Sequence, residues 1–156
     1  MEGVRPATAA DIERLAELCR DAIAEKAPAR GGAVFAAREA RPEPVEDGLR
    51  AALEDAAQQV WVGTIDGVAI AYAVATVEQL RTGERLGFIE DIYVEPEGRS
   101  VGVGEALMGA ALEWLTEQGC TGVDARALPG DRATKNFFEG SGFSARLLVM
   151  HHRIDR

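Results

Sequence analysis

Residues 88–94 read FIEDIYV, residues 95–104 read EPEGRSVGVG, and residues 105–117 read EALMGAALEWLTE. An apolar run with an acidic pair is followed by a glycine-rich loop and an amphipathic pattern, which predicts a strand, a loop and a helix. The first backbone N–H groups of a helix lack intrahelical acceptors and lie at the positive end of its dipole. The start of this helix therefore predicts a site for an anion, most often phosphate.

The composition is typical of one soluble domain, with 156 residues, 47% of them hydrophobic and 28% charged. The formal net charge of −9 argues against a nucleic-acid partner, because phosphate contacts require clustered Lys and Arg. No apolar run approaches the roughly 20 residues of a membrane span, and the N-terminus lacks a signal peptide's apolar region. We therefore expect a cytoplasmic protein without membrane contact. Its two cysteines, Cys19 and Cys120, are predicted to be reduced and buried, and no metal site is predicted.

The hydrophobic patterns predict a single α+β domain over residues 1–156, with a mixed and mostly antiparallel sheet. Strands are predicted over 4–7, 60–65, 68–77, 86–94, 122–127 and 145–152, and helices over 10–25, 45–57, 105–117 and 131–139. The dipeptide Asp66-Gly67 predicts a tight hairpin, and the crossover from 86–94 to 122–127 predicts a parallel pair. Residues 26–44, rich in Gly, Pro and Arg, predict a surface loop with room for a short helix.

Three kinds of phosphate-binding loop compete for residues 99–104. A Walker A motif is excluded because no Lys follows Gly104. A dinucleotide fingerprint starting at Gly102 would place Leu107 at its third small position, although Asp124 lies where a ribose-binding acid is expected. In a dinucleotide-binding fold this loop follows the first strand, whereas the strand before this loop follows a hairpin. The third pattern, Arg/Gln-x-x-Gly-x-Gly/Ala, matches the six residues RSVGVG.

Three features in order resemble the GCN5-related N-acetyltransferases: a strand ending in Val-Glu-Pro, the RSVGVG loop, and AxxxFFExxGF over residues 133–143. The resemblance covers nearly the whole chain. It implies an α+β fold with a mixed, mostly antiparallel twisted sheet of about six strands, flanked by about four helices. Only 13 residues follow Phe143, which leaves room for one final strand where the family has two. It is therefore open whether a second copy completes the sheet in a homodimer.

The resemblance also implies acetyl-CoA as co-substrate. The backbone N–H groups of the loop would hold its pyrophosphate, and the main chain of Ile92 and Val94 would pair with the pantetheine arm. One N–H group of this strand would polarise the thioester carbonyl. Lys135 would reach the adenosine phosphate and Phe138 would pack on the pantetheine. The full set of predicted CoA-binding residues is Ile92, Tyr93, Val94, Arg99, Ser100, Val101, Gly102, Val103, Gly104, Asp131, Lys135 and Phe138.

An acceptor amine must lose a proton before it attacks the thioester, which requires a general base. Glu90 and Asp91 are neighbours in the predicted strand, so we expect their side chains on opposite faces, with at most one in the cleft. The resemblance favours Glu90 as the base, with Asp91 in reserve. Many relatives protonate the leaving thiolate with a Tyr where this chain has Phe138. The proton would then come from water, from Tyr93 or Tyr72, or from no dedicated group.

The resemblance thus implies an acetyl-CoA-dependent N-acetyltransferase that acts by direct attack in a ternary complex. Its acceptor would be a primary amine of a small molecule or a protein, shaped by residues 26–44 and the turn at 81–84. The acidic composition slightly favours a cationic amine. The alternative is a catalytically weak acyl-CoA-binding regulatory module, because Phe138 replaces the usual Tyr and Asp131 the usual Asn.

Overall fold

The computed structural model describes residues 1–99 and 101–155, which form five strands and five α-helices. The strands are β1 (Glu2–Pro6), β2 (Gln58–Ile65), β3 (Val68–Gln79), β4 (Arg85–Val94) and β5 (Cys120–Ala125). The helices are α1 (Ile12–Lys26), α2 (Gly32–Arg38), α3 (Val45–Glu54), α4 (Val103–Glu117) and α5 (Arg132–Gly140). The predicted fold class, an α+β fold with a mixed sheet covered by helices, is confirmed.

The strands form one sheet in the order β1-β2-β3-β4-β5. The first three pairings are antiparallel, and β4 pairs with β5 in parallel, with α4 as the crossover between them. At the β2–β3 turn, Asp66 has a φ of 50° and Gly67 a φ of 82°, as a type I′ hairpin requires. The predicted hairpin and the predicted parallel pair are therefore both present.

The sheet is covered on both faces, and each face has its own hydrophobic core. Helices α1 and α3 bury Leu15, Leu18 and Leu49 with Tyr72 of β3 in one cluster. Helix α4 covers the other face, where Leu107 and Leu115 are among the fully buried residues. A Cβ atom at Gly63 would lie 2.8 Å from Val103 Cγ2, so the glycine lets the first residue of α4 pack directly on β2. This contact fixes where the glycine-rich loop ends.

The short helix for which the prediction over 26–44 left room is present as α2 (Gly32–Arg38). The strand predicted over 145–152 was wrong, since no described residue after Gly140 belongs to a strand. Leu147, Leu148, Val149 and Met150 are instead 72–86% exposed, and the segment reaches β5 through the ion pair of Arg146 with Asp124. A strand forms only where another strand satisfies its backbone groups, which local sequence does not reveal. A homodimer that would provide this pairing stays a prediction.

Within residues 1–99 and 101–155, no helix has the length and apolar character needed to cross a membrane. The same residues contain no group of three or more His, Cys, Asp or Glu side chains arranged to hold a metal ion.

Candidate active site

The central feature of the candidate site is a gap between β4 and β5. Their pairing runs from Arg85 opposite Cys120 to Ile89 opposite Ala125, and β4 then continues to Val94 paired only with β3. On this side, the part of β4 from residue 90 onward has no neighbouring strand among the described residues. Its backbone groups can therefore accept an extended ligand as an additional strand.

The start of α4 lies at the end of the loop that follows this open edge. Gly102 caps the helix with a φ of 89°, and no side chain of residues 1–99 or 101–155 hydrogen-bonds to this end. The first backbone bond at this end runs from the Ala106 N–H group to the Gly102 carbonyl, at 3.0 Å. The N–H groups of Val103, Gly104 and Glu105 therefore precede the helical hydrogen bonds and lie at the positive end of the dipole. This geometry suits a pyrophosphate, whereas Ser100 lies outside the described residues and Val101 is exposed.

Arg99 does not extend toward a phosphate at this loop. Its guanidinium donates two hydrogen bonds to Glu25 of α1, at 2.9 and 2.8 Å, and one to the Val94 carbonyl at 2.9 Å. It also lies 5.6 Å from the centre of the Tyr93 ring. The pKa of Arg99 is raised because Glu25 accepts its hydrogen bonds. Arg99 thus ties the loop to α1, and Tyr93 packs with the α1 core rather than along the cavity described next.

A cavity of about 360 Å³ opens between β4, α1, α2 and α5. It is lined by Glu90, Asp91 and Ile92 of β4, by the segment from Phe35 to Pro42, and by Phe138 of α5. Because Ile92 belongs to the open edge of β4, the cavity meets the place where an added strand would lie. The cavity can therefore hold a small ligand beside a ligand bound along this edge of β4.

Both carboxylates of the acidic pair line this cavity, so the expectation that they lie on opposite faces was wrong. The pairing of β3 with β4 places Val74 opposite Asp91 and Ala75 opposite Ile89, which leaves Glu90 as an extra, unpaired residue. Such a β-bulge interrupts the alternation of side chains and re-aims them, and bulges are common beside active sites.

Asp91 is held by three hydrogen bonds. Arg41 donates from Nε to Oδ2 at 3.0 Å and from Nη2 to Oδ1 at 2.8 Å, and the Tyr72 hydroxyl donates to Oδ2 at 2.7 Å. The side chains of Arg41 and Asp91 are only 17% and 12% exposed. Burial acts to lower the pKa of Arg41, but Asp91 outweighs it and the pKa is raised. Asp91 therefore anchors the segment after α2 to β4.

Glu90 has fewer partners. Its Oε2 accepts one hydrogen bond, from Arg126 Nη2 at 3.3 Å, and its side chain is about one-third exposed. Arg126 is also held 4.7 Å above the Phe88 ring. Glu90 thus keeps most of its hydrogen-bonding capacity for a ligand in the cavity, which is what a general base needs.

Two other groups in the cavity wall are poor proton carriers at neutral pH. Burial raises the pKa of the Tyr72 hydroxyl well above its usual value, and its proton is engaged with Asp91. Burial also raises the pKa of the Cys19 thiol to about 11. A protonated thiol is a weak nucleophile, so Cys19 is not suited to carry an acyl group.

The predicted residues of α5 have different surroundings. Asp131 caps the helix by accepting from the Thr134 N–H group at 3.1 Å and from the Thr134 hydroxyl at 2.6 Å. Lys135 is exposed, with one contact of 3.9 Å to Glu139. Phe138 is buried against Phe143, at 5.4 Å between ring centres, and lines the cavity. Asp131 thus has a structural role that the sequence analysis missed.

The sequence analysis also missed Arg41 and Arg126. Arg41 lies in a segment without periodicity, so nothing local connects it to β4. Arg126 follows β5, at the carboxyl end of a parallel strand beside the gap, where functional side chains often gather. That position was the one available signal for it.

A family model described as Acetyltransferase (GNAT) family matches residues 17–143. The chain belongs to this family. The match confirms the predicted family, and with it an N-acetyltransferase that uses acetyl-CoA as acetyl donor.

The curated relatives of this acetyltransferase include aminoglycoside N(6')-acetyltransferase type 1 from Salmonella typhimurium and from Salmonella enteritidis. Each is 27% identical over 97 residues, which cover 60% of this chain and 67% of the relative. Among solved structures, aminoglycoside N-acetyltransferase AAC(6')-Iy, in complex with a CoA-linked acetylneamine bisubstrate analogue, has a TM-score of 0.76 at 20% identity, covering 100% of this chain and 99% of that one.

Two further structures share the fold. The ribosomal-protein-alanine N-acetyltransferase of Brucella melitensis has a TM-score of 0.70 at 18% identity, covering 99% of this chain and 100% of that one. A tetramutant of the BH1408 protein from Bacillus halodurans has a TM-score of 0.83 at 19% identity, covering 97% and 99%. Identities this low establish the fold of the GNAT chain and leave its acceptor open.

Proposed function

We propose that this acetyltransferase transfers the acetyl group of acetyl-CoA to a primary amine by direct attack in a ternary complex, with Glu90 as general base. One observation carries the proposal: the open edge of β4 beyond Ile89 meets a cavity lined by Glu90, and the uncapped start of α4 follows the same strand. Donor and acceptor sites are then contiguous, as direct transfer requires.

The donor would be held mainly by backbone. The N–H groups of Val103, Gly104 and Glu105 would bind the pyrophosphate, and the main chain of Ile92 and Val94 would pair with the pantetheine arm. Since the Val94 carbonyl already accepts from Arg99, its N–H group is the group left for this pairing. An N–H group of this edge, directed at the thioester carbonyl, would stabilise the negative charge that develops on oxygen.

Glu90 would remove a proton from the acceptor's ammonium group, which frees the nitrogen lone pair to form the N–C bond while the C–S bond breaks. The nitrogen gives up two protons overall, both to solvent and one of them by way of Glu90, and the departing thiolate takes up one proton from solvent. Tyr72 is engaged with Asp91, and Tyr93 packs away from the cavity, so solvent is the proton source for the thiolate. The protonated Cys19 thiol argues for direct attack over an acetyl-cysteine route.

The relatives acetylate chemically different acceptors, an aminoglycoside in one case and the alanine of a ribosomal protein in another. The acceptor class proposed here is therefore a primary amine, of a small molecule or of a protein. A second candidate, a catalytically weak acyl-CoA-binding module, rests on Phe138, which has no hydroxyl and is packed in an aromatic cluster.

Turnover separates these two candidates, because both would bind acetyl-CoA. Thiol release from acetyl-CoA would be followed with amino acids, polyamines, aminoglycosides and peptides, each compared with a reaction lacking acceptor. We expect release that depends on the acceptor for at least one class. Binding of acetyl-CoA without any acceptor-dependent release would favour the binding module and refute the enzyme.

Gly102→Ala tests the donor site. A Cβ atom at a φ of 89° introduces strain of about 1–3 kcal/mol, which the loop would relieve by shifting the N–H groups at the start of α4. We expect acetyl-CoA to bind about tenfold more weakly, measured by calorimetry, with a lower Tm.

Gly109→Ala is the matched control in the same helix. Gly109 has open space around its Cα atom, and replacing a mid-helix glycine by alanine stabilises a helix by roughly 0.5–1 kcal/mol. We expect a slightly higher Tm and unchanged affinity. Equal affinities for the two variants would show that the start of α4 does not hold the donor.

A further inference from the structure

The cavity differs in charge from the protein around it. Four cationic side chains line it, Lys26, Arg38, Arg41 and Arg126, and three anionic ones, Glu39, Glu90 and Asp91, which leaves a formal charge of +1. The whole chain carries −9. The overall acidity therefore does not describe the site, and the preference for a cationic amine drawn from the composition does not extend to the cavity.

Two of the four cations are already neutralised on the β4 side. Arg41 forms a two-bond pair with Asp91, and Arg126 contacts Glu90. Asp91 is fully hydrogen-bonded, whereas Glu90 has this one contact. On this wall, Glu90 is therefore the carboxylate that can still bind a ligand.

The remaining cations lie on the wall formed by α1 and α2. The ammonium group of Lys26, the last residue of α1, has no hydrogen bond or ion pair within the described part of the chain. Arg38, the last residue of α2, is 76% exposed and has a single contact of 3.3 Å, to the adjacent Glu39 Oε1. The other oxygen of Glu39 is buried and has no hydrogen-bond partner among the described residues. Because a carboxylate carries one negative charge, Glu39 offsets only one of these two cations. Free positive charge thus faces the cavity from this wall.

The rest of the lining is largely apolar. Cys19, Ala22, Ile23, Phe35, Ala40 and Ile92 all contribute to it. A ligand with an apolar body would remove this surface from water, at a gain of about 25 cal/mol per Å². The volume of about 360 Å³ lies near the lower end of the range for small-molecule sites.

We propose that the acceptor is a small aminocarboxylate with an apolar body, such as an apolar amino acid, rather than a polycation. This inference rests on the proposed function. The ammonium group of the acceptor would lie at Glu90, and its carboxylate would bind Lys26 and Arg38 across the cavity. Further ammonium groups on an acceptor would instead meet these two cations, and like charges in a partly desolvated site repel one another.

A matched pair of acceptors tests the inference on the wild-type protein. Leucine and leucinamide share the amine and the apolar body, and differ only in the carboxylate. The amine of leucinamide is the less basic, so unspecific acetylation would favour the amide. With saturating acetyl-CoA, we expect kcat/KM for leucine to exceed that for leucinamide about tenfold or more, the usual worth of a charge-assisted hydrogen bond. Spermidine and neamine should be poorer still.

The double variant Lys26→Gln with Arg38→Gln should lower kcat/KM for leucine about tenfold and leave the value for leucinamide nearly unchanged. Arg50→Gln, which removes an exposed arginine of α3 that does not line the cavity, is the control and should change neither value. Tm values within a degree or so of wild type would show that the variants fold.

Faster turnover of leucinamide, spermidine or neamine than of leucine would overturn the inference and leave the proposed function standing. A double variant that lowers kcat/KM for leucine and for leucinamide by the same factor would also overturn the inference. Binding of acetyl-CoA without turnover of any of the four acceptors would also overturn the inference, whereas the proposed function would fail only if peptides too gave no acceptor-dependent release.

Discussion

Replacing Glu90 with Gln is expected to lower kcat/KM for acetyl transfer by about 10²- to 10⁴-fold, the usual contribution of a positioned general base. Gln keeps the size and the contact with Arg126 but cannot take up a proton. The rise of kcat/KM with pH that reports deprotonation of the base should flatten. The pH dependence that remains in the variant should come from the ionisation of the acceptor amine. Acceptors of different basicity should shift this remaining dependence along the pH axis, which identifies it.

Two controls make this result specific. The affinity for acetyl-CoA should stay unchanged, because Glu90 is proposed to act on the acceptor. Glu54→Gln, a change of the same chemistry at the exposed end of α3, should leave both kcat/KM and its pH profile as in the wild type. If Glu90→Gln preserves kcat/KM and the rising limb, the base lies elsewhere, and Asp91 becomes the next residue to replace.

The strand, loop and helix over 88–117 could be predicted from sequence because their signals are local. The apolar run defines the strand, and the glycines define where the helix can start. Gly102 has a positive φ at this point, as a glycine in such a loop permits. The proposed anion site follows from helix geometry alone, so proposing it required no knowledge of distant residues.

The bulge at Glu90 could not be predicted in the same way. It arises from the register of β4 against β3, where Val74 and Ala75 are opposite Asp91 and Ile89. A strict alternation of side chains is correct for an isolated strand, and it placed the two carboxylates on opposite faces. The irregular pairing of β4 with β3 instead brings both carboxylates to the cavity.

The surroundings of Arg99 and Arg41 were equally inaccessible. Glu25 is 74 residues from Arg99 in sequence, and Asp91 is 50 residues from Arg41. Each arginine was engaged by a carboxylate on another element, which only the packing of helix on sheet brings close. The charge of an arginine is known from the sequence, but the carboxylate that it pairs with is set by the tertiary structure.

Asp91→Asn tests the anchoring role that the structure gives to this residue. The change leaves the Arg41 guanidinium, which is only 17% exposed, without its counter-charge. Breaking a buried pair from one side costs about 3–5 kcal/mol, since the remaining charge is neither solvated nor paired. For a chain of this length we expect Tm to fall by about 6–12 °C for a loss near 3 kcal/mol. Asp47→Asn, which breaks the exposed 3.6 Å pair with Arg50, should cost less than about 1 kcal/mol.

The double variant Arg41→Met with Asp91→Leu distinguishes a loss of pairing from a general loss of packing. Once neither charge is buried, part of the stability should return, because apolar residues of similar size can replace a buried ion pair at little cost. The buried Tyr72 hydroxyl loses its acceptor in this variant, which should hold back about 1–3 kcal/mol. The segment after α2 would nevertheless lose its link to β4, so KM for the acceptor should stay raised although the fold has recovered. A double variant as unstable as Asp91→Asn would mean that the pair contributes through shape alone. If Asp91→Asn is as mild as Asp47→Asn, then Arg41 does not depend on Asp91, and the wall of the acceptor cavity must be held by the helices around it.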